Sequence, residues 1–149
     1  MEEERIVRLI RQVNLFLMQY ERELMESRAL TPAQSRMLGY LLSQKKTEYS
    51  ATDIHEAAGI SRPTISGTLK ELRRKGFLLM EEMPEDERKK RIVLTEQAYG
   101  EEEEIAKKRK ERQECILKGI PKEKLEIAEE CLEQMLSNIR QERDRRNKT

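Results

Sequence analysis

The residues best suited to recognising something lie in GISRPTISGTLKELRRKG, from Gly59 to Gly76. With Ile65 at the centre of an inward helical face, Leu69 and Leu72 join it at i+4 and i+7. Pro63, Gly67, Lys70 and Arg74 then fall on the opposite side, flanked by Thr64 and Ser66. That outer face is small or hydroxylic at its start and basic further on. A glycine inside a helix costs about 1 kcal/mol against alanine, so Gly67 on the outer face points to close approach by another surface. The floor of a DNA major groove asks for such a helix: slim enough to enter, hydroxyl-bearing to meet base edges, and flanked by cations for phosphates. Arg62, Lys70, Arg73, Arg74 and Lys75 face a single acid, Glu71, and Arg88, Lys89, Lys90 and Arg91 follow consecutively downstream. Taken alone, LKELRRKG is equally a solvated amphipathic surface helix, and ERKKR is a weak signal.

The elements that would hold this stretch give it more weight. Ser50 caps a short helix with Asp53 in its first turn and Ile54, Ala57 and Ala58 as its packing face; Gly59 ends it. Ser61 then caps a helix from Arg62 to Lys75, which Gly76 terminates. Two short helices joined by a glycine-containing turn of about four residues form a helix-turn-helix. FLLMEEM and RIVLT, flanking the polar PEDERKK opened by Pro84, read as a β-hairpin with a charged tip. A helix-turn-helix followed by a basic-tipped hairpin predicts a winged helix, with the helix in the major groove and the wing on backbone or minor groove. Around it, Ile6, Leu9, Val13, Phe16, Leu17, Tyr20 and Leu24 predict one amphipathic helix over about 4–27. LTPAQ predicts a capped helix from Thr31 to about Gln44, with Gln34 closing a capping box. Thr95 opens a long helix, polar in its middle and read as a solvated strut, and GIP at 119–121 breaks it. The last helix carries Leu125, Ala128, Leu132, Met135 and Ile139 at near-heptad spacing before the basic tail.

Composition sets the bounds. The 149 residues are 40% charged, 36% hydrophobic and 4% aromatic, without Trp, so the core must rest on Leu, Ile, Met and Ala in helices. Such a core is thin for one chain, which predicts an oligomer that buries helical stripes between copies. Thirty basic residues against 29 acidic ones say nothing of partners, since only their distribution informs. No membrane span or secretory signal is legible, so a cytoplasmic protein without membrane association is expected. Cys115 and Cys131 read as reduced core residues, His55 as a surface residue, and Glu101 to Glu104 as charge complementing a helix start rather than a metal site. With one His, no Walker-type loop and no HExxH, no catalytic constellation, cofactor site or metal site is expected. The rival to a DNA-binding reading is a winged-helix protein–protein module whose basic hairpin binds an acidic partner.

The order of elements resembles the MarR family of transcription regulators over nearly the whole chain. The resemblance rests on Leu30, Thr31 and Gln34 opening the second helix, Gly59 to Ser66 leading into the recognition helix, and Leu72, Gly76 and Phe77 after it. Asp86 and Arg88 in the wing, then Leu94, Thr95 and Gly100, complete it. It implies a mainly α fold with a small β-hairpin wing, a winged helix-turn-helix with long N- and C-terminal dimerisation helices. The expected parts are an N-terminal dimerisation helix (1–30), a DNA-binding domain (31–98) and C-terminal dimerisation helices (99–149), in one intertwined domain. It implies a homodimer on a pseudo-palindromic operator in double-stranded DNA, usually repressing, and released by a small molecule or by cysteine oxidation. Carried onto this chain, Ser61, Arg62, Pro63, Thr64, Ser66, Gly67, Lys70 and Arg74 would meet DNA from the recognition helix. Arg88, Lys89 and Lys90 would do so from the wing, with Asp86 orienting Arg88. Many relatives carry a larger polar residue at the position of Gly67, and the peroxide-sensing branch has its reactive cysteine in the first helix, which here has none. An effector pocket between a dimer helix and the winged domain would be lined with generic apolar residues, so no residue singles it out.

Overall fold

The computed structural model describes residues 2–25, 29–44, 46–83, 85–86 and 88–148. Pro84 of the expected hairpin turn and the last residues of the expected first helix, beyond Met25, lie outside them. In chain order the elements are α1 (Glu2–Leu24), α2 (Pro32–Ser43), β1 (Glu48–Ser50), α3 (Ala51–Ala58), α4 (Arg62–Arg74), β2 (Leu78–Glu82), β3 (Lys89–Leu94), α5 (Glu96–Tyr99), α6 (Glu102–Leu117) and α7 (Lys122–Asn147). They form a winged helix-turn-helix with long helices at both ends of the chain. Residues up to Arg112 make one compact unit and those from Gln113 onward a second.

The core belongs to the first unit. Met37, Leu38 and Leu41 of α2, Ile54 of α3, Ile65, Leu69 and Leu72 of α4, and Leu78 and Ile92 of the sheet are all nearly or fully sealed from solvent. The amphipathic spacing that marks the inward face of α4 thus becomes a packed seam against α2 and α3. Thr68 joins that seam, its hydroxyl donating to Thr64 O at 2.8 Å, the bond by which a threonine is accommodated inside a helix.

Local chemistry fixes the ends. Thr31 and Gln34 close a capping box on α2, each side chain accepting the other's backbone N–H at 3.2 Å. Ser50 and Asp53 do the same for α3. Gly59 ends α3 at φ 64, a conformation that a side chain resists. At the end of α4, Phe77 N donates to Leu72 O and Gly76 N to Arg73 O, with Gly76 at φ 89, so the last carbonyls of the helix are satisfied as the chain turns into β2.

Three expectations change. The segment before α3 is not only a loop: Glu48–Ser50 forms β1 and pairs antiparallel with Lys89–Arg91, giving a three-stranded sheet of order β1-β3-β2 instead of a bare hairpin. A three-residue strand ending at a helix cap has no alternating pattern to read. The helix opened by Thr95 is only one turn, and a second start at Glu102, with three glutamates in its first turn, gives α6. The start of α6 is packed rather than solvated: Ile105 is buried in the core, and a Cβ on Gly39 would come within 2.9 Å of the Arg109 guanidinium, while Lys107, Arg109 and Lys110 in the polar middle remain exposed. Small residues on α2 let a charged helix lie against it.

The terminal helices carry exposed apolar residues among the described residues. On α1, Ile6, Leu9, Val13 and Phe16 are 43–62% exposed. On α7 no residue is buried, and Leu132, Leu136 and Ile139 are at least half exposed. Cys115 and Cys131 are exposed free thiols, not core residues, because the second unit builds no core of its own. No helix among the described residues is long and apolar enough to cross a membrane.

Candidate nucleic-acid interface

The two halves of the helix-turn-helix are locked by the turn between them. His55 lies half-buried, its Nδ1–H donating to Ile60 O at 2.8 Å, and Ile60 inserts into the core. The histidine read as a surface residue is therefore the clamp of the turn, five residues from its partner and invisible to periodicity. With the turn fixed, the outer face of α4 is fixed too.

That face is open to solvent. Ser61, Arg62, Pro63, Thr64, Ser66, Gly67 and Lys70 are all exposed, and a Cβ added to Gly67 would meet nothing within 4 Å. Ser61 sits at the N-cap but makes no capping bond; its hydroxyl pairs with that of Thr64 at 2.6 Å. Helical geometry places Arg62 and Ser66 on one flank of the outer face and Thr64 on the other. The charge counted along the helix is not all available. Arg74 is held by Glu71, Nη2 to Oε2 at 2.9 Å, which lowers the carboxyl below its ordinary range through that hydrogen bond first. Lys75 turns inward, donating to Ala29 O and Gln34 Oε1 at 2.6 Å, and so ties the end of α4 to the start of α2. Arg62, Lys70 and Arg73 are the cations left outside.

The wing supplies the second part. Arg88 projects with 88% of its side chain exposed, yet it is not loose: its Nε and its backbone N–H both donate to Asp86 Oδ1, at 3.1 and 3.0 Å. The side-chain bond from Arg88, then the backbone one, holds the Asp86 carboxyl below its ordinary range. The two residues of the D-x-R pattern are thus hydrogen-bonded to each other. Lys89 and Lys90 are strand residues rather than tip residues, paired with Ser50 and Tyr49, so they point to alternate faces. Lys90 shares the face of buried Ile92, and Lys89 is exposed.

Between α4 and the wing runs a cleft of about 590 Å³. Its floor is apolar, from Ile54, Ile65, Leu69 and Ile92. Arg62 and Ser66 stand on one rim; Arg88, Lys89 and Lys90 stand on the other, with Asp86 the one carboxylate among the described residues that line it. Thr52 of α3 also lines it and accepts from Arg62 Nη1 at 3.1 Å. No sequence pattern marks Thr52, because its partner is ten residues away across the turn.

A second cavity, of about 410 Å³, lies away from this surface among α1, α2, α3 and α6. Glu21, 8% exposed, receives Arg112 at 2.9 Å on one oxygen and Arg36 at 3.5 Å on the other. Arg36 Nε is buried without a hydrogen-bond partner among the described residues. Arg109 and Lys108 add further cations to the lining, and Leu24, Met25, Tyr40, Ala57, Ala58 and Ile105 give it an apolar part.

A family model described as MarR family matches residues 30–89. The Staphylococcus aureus MepR–DNA complex is similar in structure, with a TM-score of 0.76 at 26% identity, over 89% of this chain and 96% of that one. Bordetella bronchiseptica BpsR, whose DNA binding is regulated by 6-hydroxynicotinic acid, matches with a TM-score of 0.74 at 21% identity, over 88% of this chain and 98% of its own. A MarR/EmrR family regulator from Acinetobacter sp. matches at 0.77 and 18%, over 94% and 97%. The last two matches bear on the fold alone.

Proposed function

We propose that the chain, whose residues 30–89 match the MarR family model and whose fold is similar to that of the MepR–DNA complex, works as a homodimeric repressor on a pseudo-palindromic operator and lets go when a small-molecule effector binds. Each copy seats the outer face of α4 in a major groove, with half-sites about 10 base pairs apart. The wing lies against the neighbouring backbone. Residues 31–98 are the DNA-binding part, and the segments 1–30 and 99–149 carry the dimer contacts.

The observation that carries this reading is the open, glycine-bearing face of α4 beside a wing whose Arg88 is held outward by Asp86. Ser61, Arg62, Pro63, Thr64, Ser66, Gly67 and Lys70 form the groove-facing set; Arg88, Lys89 and Lys90 meet phosphates. Arg74 contributes less, since Glu71 already neutralises it. The exposed apolar rows on α1 and α7 support the dimer, for water-facing leucines and isoleucines in that number mark a surface that another chain covers. The cationic cavity around Arg36, Arg109 and Arg112 supports an anionic effector, and Arg36 Nε, without an acceptor among the described residues, is a donor that such a ligand could meet.

The test is selection of duplexes from a random library by the purified full-length protein, followed by affinity measurements on the winning site and on its scrambled version. A two-fold related motif bound at least 1,000 times more tightly than the scrambled duplex, a ratio on the order of those typical of specific binders, is the expected result. No enrichment, or equal binding to both duplexes, would favour a basic wing that docks on an acidic protein.

A further inference from the structure

The hydrogen bond from Arg62 Nη1 to Thr52 Oγ1 joins the first turn of α3 to the first residue of α4. Both side chains are exposed and both line the cleft between α4 and the wing. An exposed arginine ordinarily samples many rotamers, and a single acceptor that restrains it lowers the entropy lost when it grips a ligand. Thr52 accepts from Arg62 through its oxygen, so its own hydroxyl proton remains free to be donated. A guanidinium has five N–H donors, and one of them is engaged among the described residues. The pair therefore offers several N–H groups and one O–H, and offers no acceptor on the hydroxyl lone pair that Arg62 occupies. An anionic oxygen cluster is the partner that such a donor set fits.

The surroundings narrow that partner further. Across the cleft stand Arg88, Lys89 and Lys90, and the floor between is apolar and closed by Ile54, Ile65 and Ile92. A sugar-phosphate strand passing between recognition helix and wing would lie along this cleft with its phosphates towards the rims. Ser66, one turn beyond Arg62 on the same flank, reaches the same space, whereas Thr64 with its Ser61 partner does not line it. The two flanks of α4 thus divide the work: one faces the backbone strand beneath the wing and the other faces away from it.

We propose that Thr52 is a positioning residue for DNA binding, which aims the Arg62 guanidinium into the cleft between α4 and the wing, where the two side chains together grip one backbone phosphate. This rests on the DNA-binding reading above, and the experiment keeps the two apart. Binding to the selected duplex is measured by fluorescence anisotropy over a series of salt concentrations for the full-length protein and for Thr52→Val, Thr52→Ser, Arg62→Ala and the Thr52→Val/Arg62→Ala pair. Thr52→Val keeps the shape and removes the hydroxyl; it should weaken binding about tenfold or more, the scale of one hydrogen bond to a charged group. Thr52→Ser should stay within about twofold of the parent on the same scale. Arg62→Ala should lose more and should reduce the salt slope by about one, and the double variant should lose less than the sum of the two single losses. The ranking of single-base variants of the site should not move in Thr52→Val, because a phosphate carries no base identity.

Parent-like binding by Thr52→Val overturns the proposal. So does a serine variant as weak as the valine one, or additive losses in the double variant. A preference change confined to one base pair would make Arg62 a base-reading residue instead and would also overturn it. In each of these outcomes the parent still binds its site, so the DNA reading stands; a parent that selects no site removes both. Unchanged melting temperatures among the variants, expected for two exposed side chains, separate the binding effect from misfolding.

Discussion

Leu72 on α4 and Leu136 on α7 are the same residue in the same kind of helix, yet one has no exposed surface and the other keeps 51% of its own in water. Leu72 sits in a region whose apolar residues close on one another across α2, α3, α4 and the sheet. Leu136 sits in a helix with no buried residue, its apolar spacing facing solvent among the described residues. The winged part closes a core of its own, whereas the long helices leave apolar rows exposed. In the proposed dimer, stability and assembly are therefore set by different residues of one chain, which makes them separable by mutation.

The largest effect should come from the closed region. Leu72→Ala removes a side chain with no room to collapse around it and should cost about 2–5 kcal/mol, read as a lower urea midpoint with loss of helix and sheet signals together. Leu132→Glu with Ile139→Glu, on the open helix, should leave the winged part folded and convert the dimer to monomer in sedimentation velocity. Affinity for a two-half-site duplex should then fall by about 100-fold, because linked binding is lost. A double variant that stays dimeric would show that the α7 row is not the seam.

Smaller effects sharpen the contrast within the DNA-facing surface. Arg88→Ala should weaken binding to all duplexes alike and flatten the salt dependence by about one charge; an unchanged slope would deny the wing its phosphate. Gly67→Ala should raise helix stability by about 1 kcal/mol and still reduce affinity for the selected site. Opposite signs in melting and binding are expected, since the site is open in the free protein. The smallest effect is that of pH. Asp86, Asp53 and Glu71 have lowered folded-state pKa values, caused first by their hydrogen bonds to Arg88, Ser50 and Arg74. The stability they contribute is present above the unfolded carboxylate value of about 4 and is lost only as pH falls through the lowered one. Affinity titrations between pH 5 and 8 should therefore show no step from these groups.

The helices, their caps and the inward face of α4 were legible because each depends on residues three or four apart. The box formed by Thr31 and Gln34, the left-handed Gly59 and the Ile65, Leu69, Leu72 row are of this kind. So was the Asp86 and Arg88 pair, two residues apart. What escaped was tertiary. The inward turn of Lys75 onto Ala29 and Gln34 spans more than 40 residues and removes a cation that a linear charge count includes. His55 on Ile60, Thr52 beneath Arg62 and β1 beside β3 likewise depend on where the chain returns rather than on local spacing. The exposed Cys115 and Cys131 escaped for the converse reason: their helices read as core-forming, and the core they would join is not within the chain.

The account turns on the outer face of α4 lying in the major groove, and a cleavage reagent tethered there tests it most directly. Cys115 and Cys131 are exchanged for serine, with the assembly state checked by sedimentation velocity, and Arg73→Cys, at an exposed position of α4 outside the groove-facing set, then offers one thiol for an iron chelate on the full-length protein. The account predicts strand cuts in two clusters about 10 base pairs apart on the selected duplex, each with the stagger of a cutter in the major groove. Cuts spread evenly along the duplex, or staggered as from the minor groove while binding persists, would contradict it.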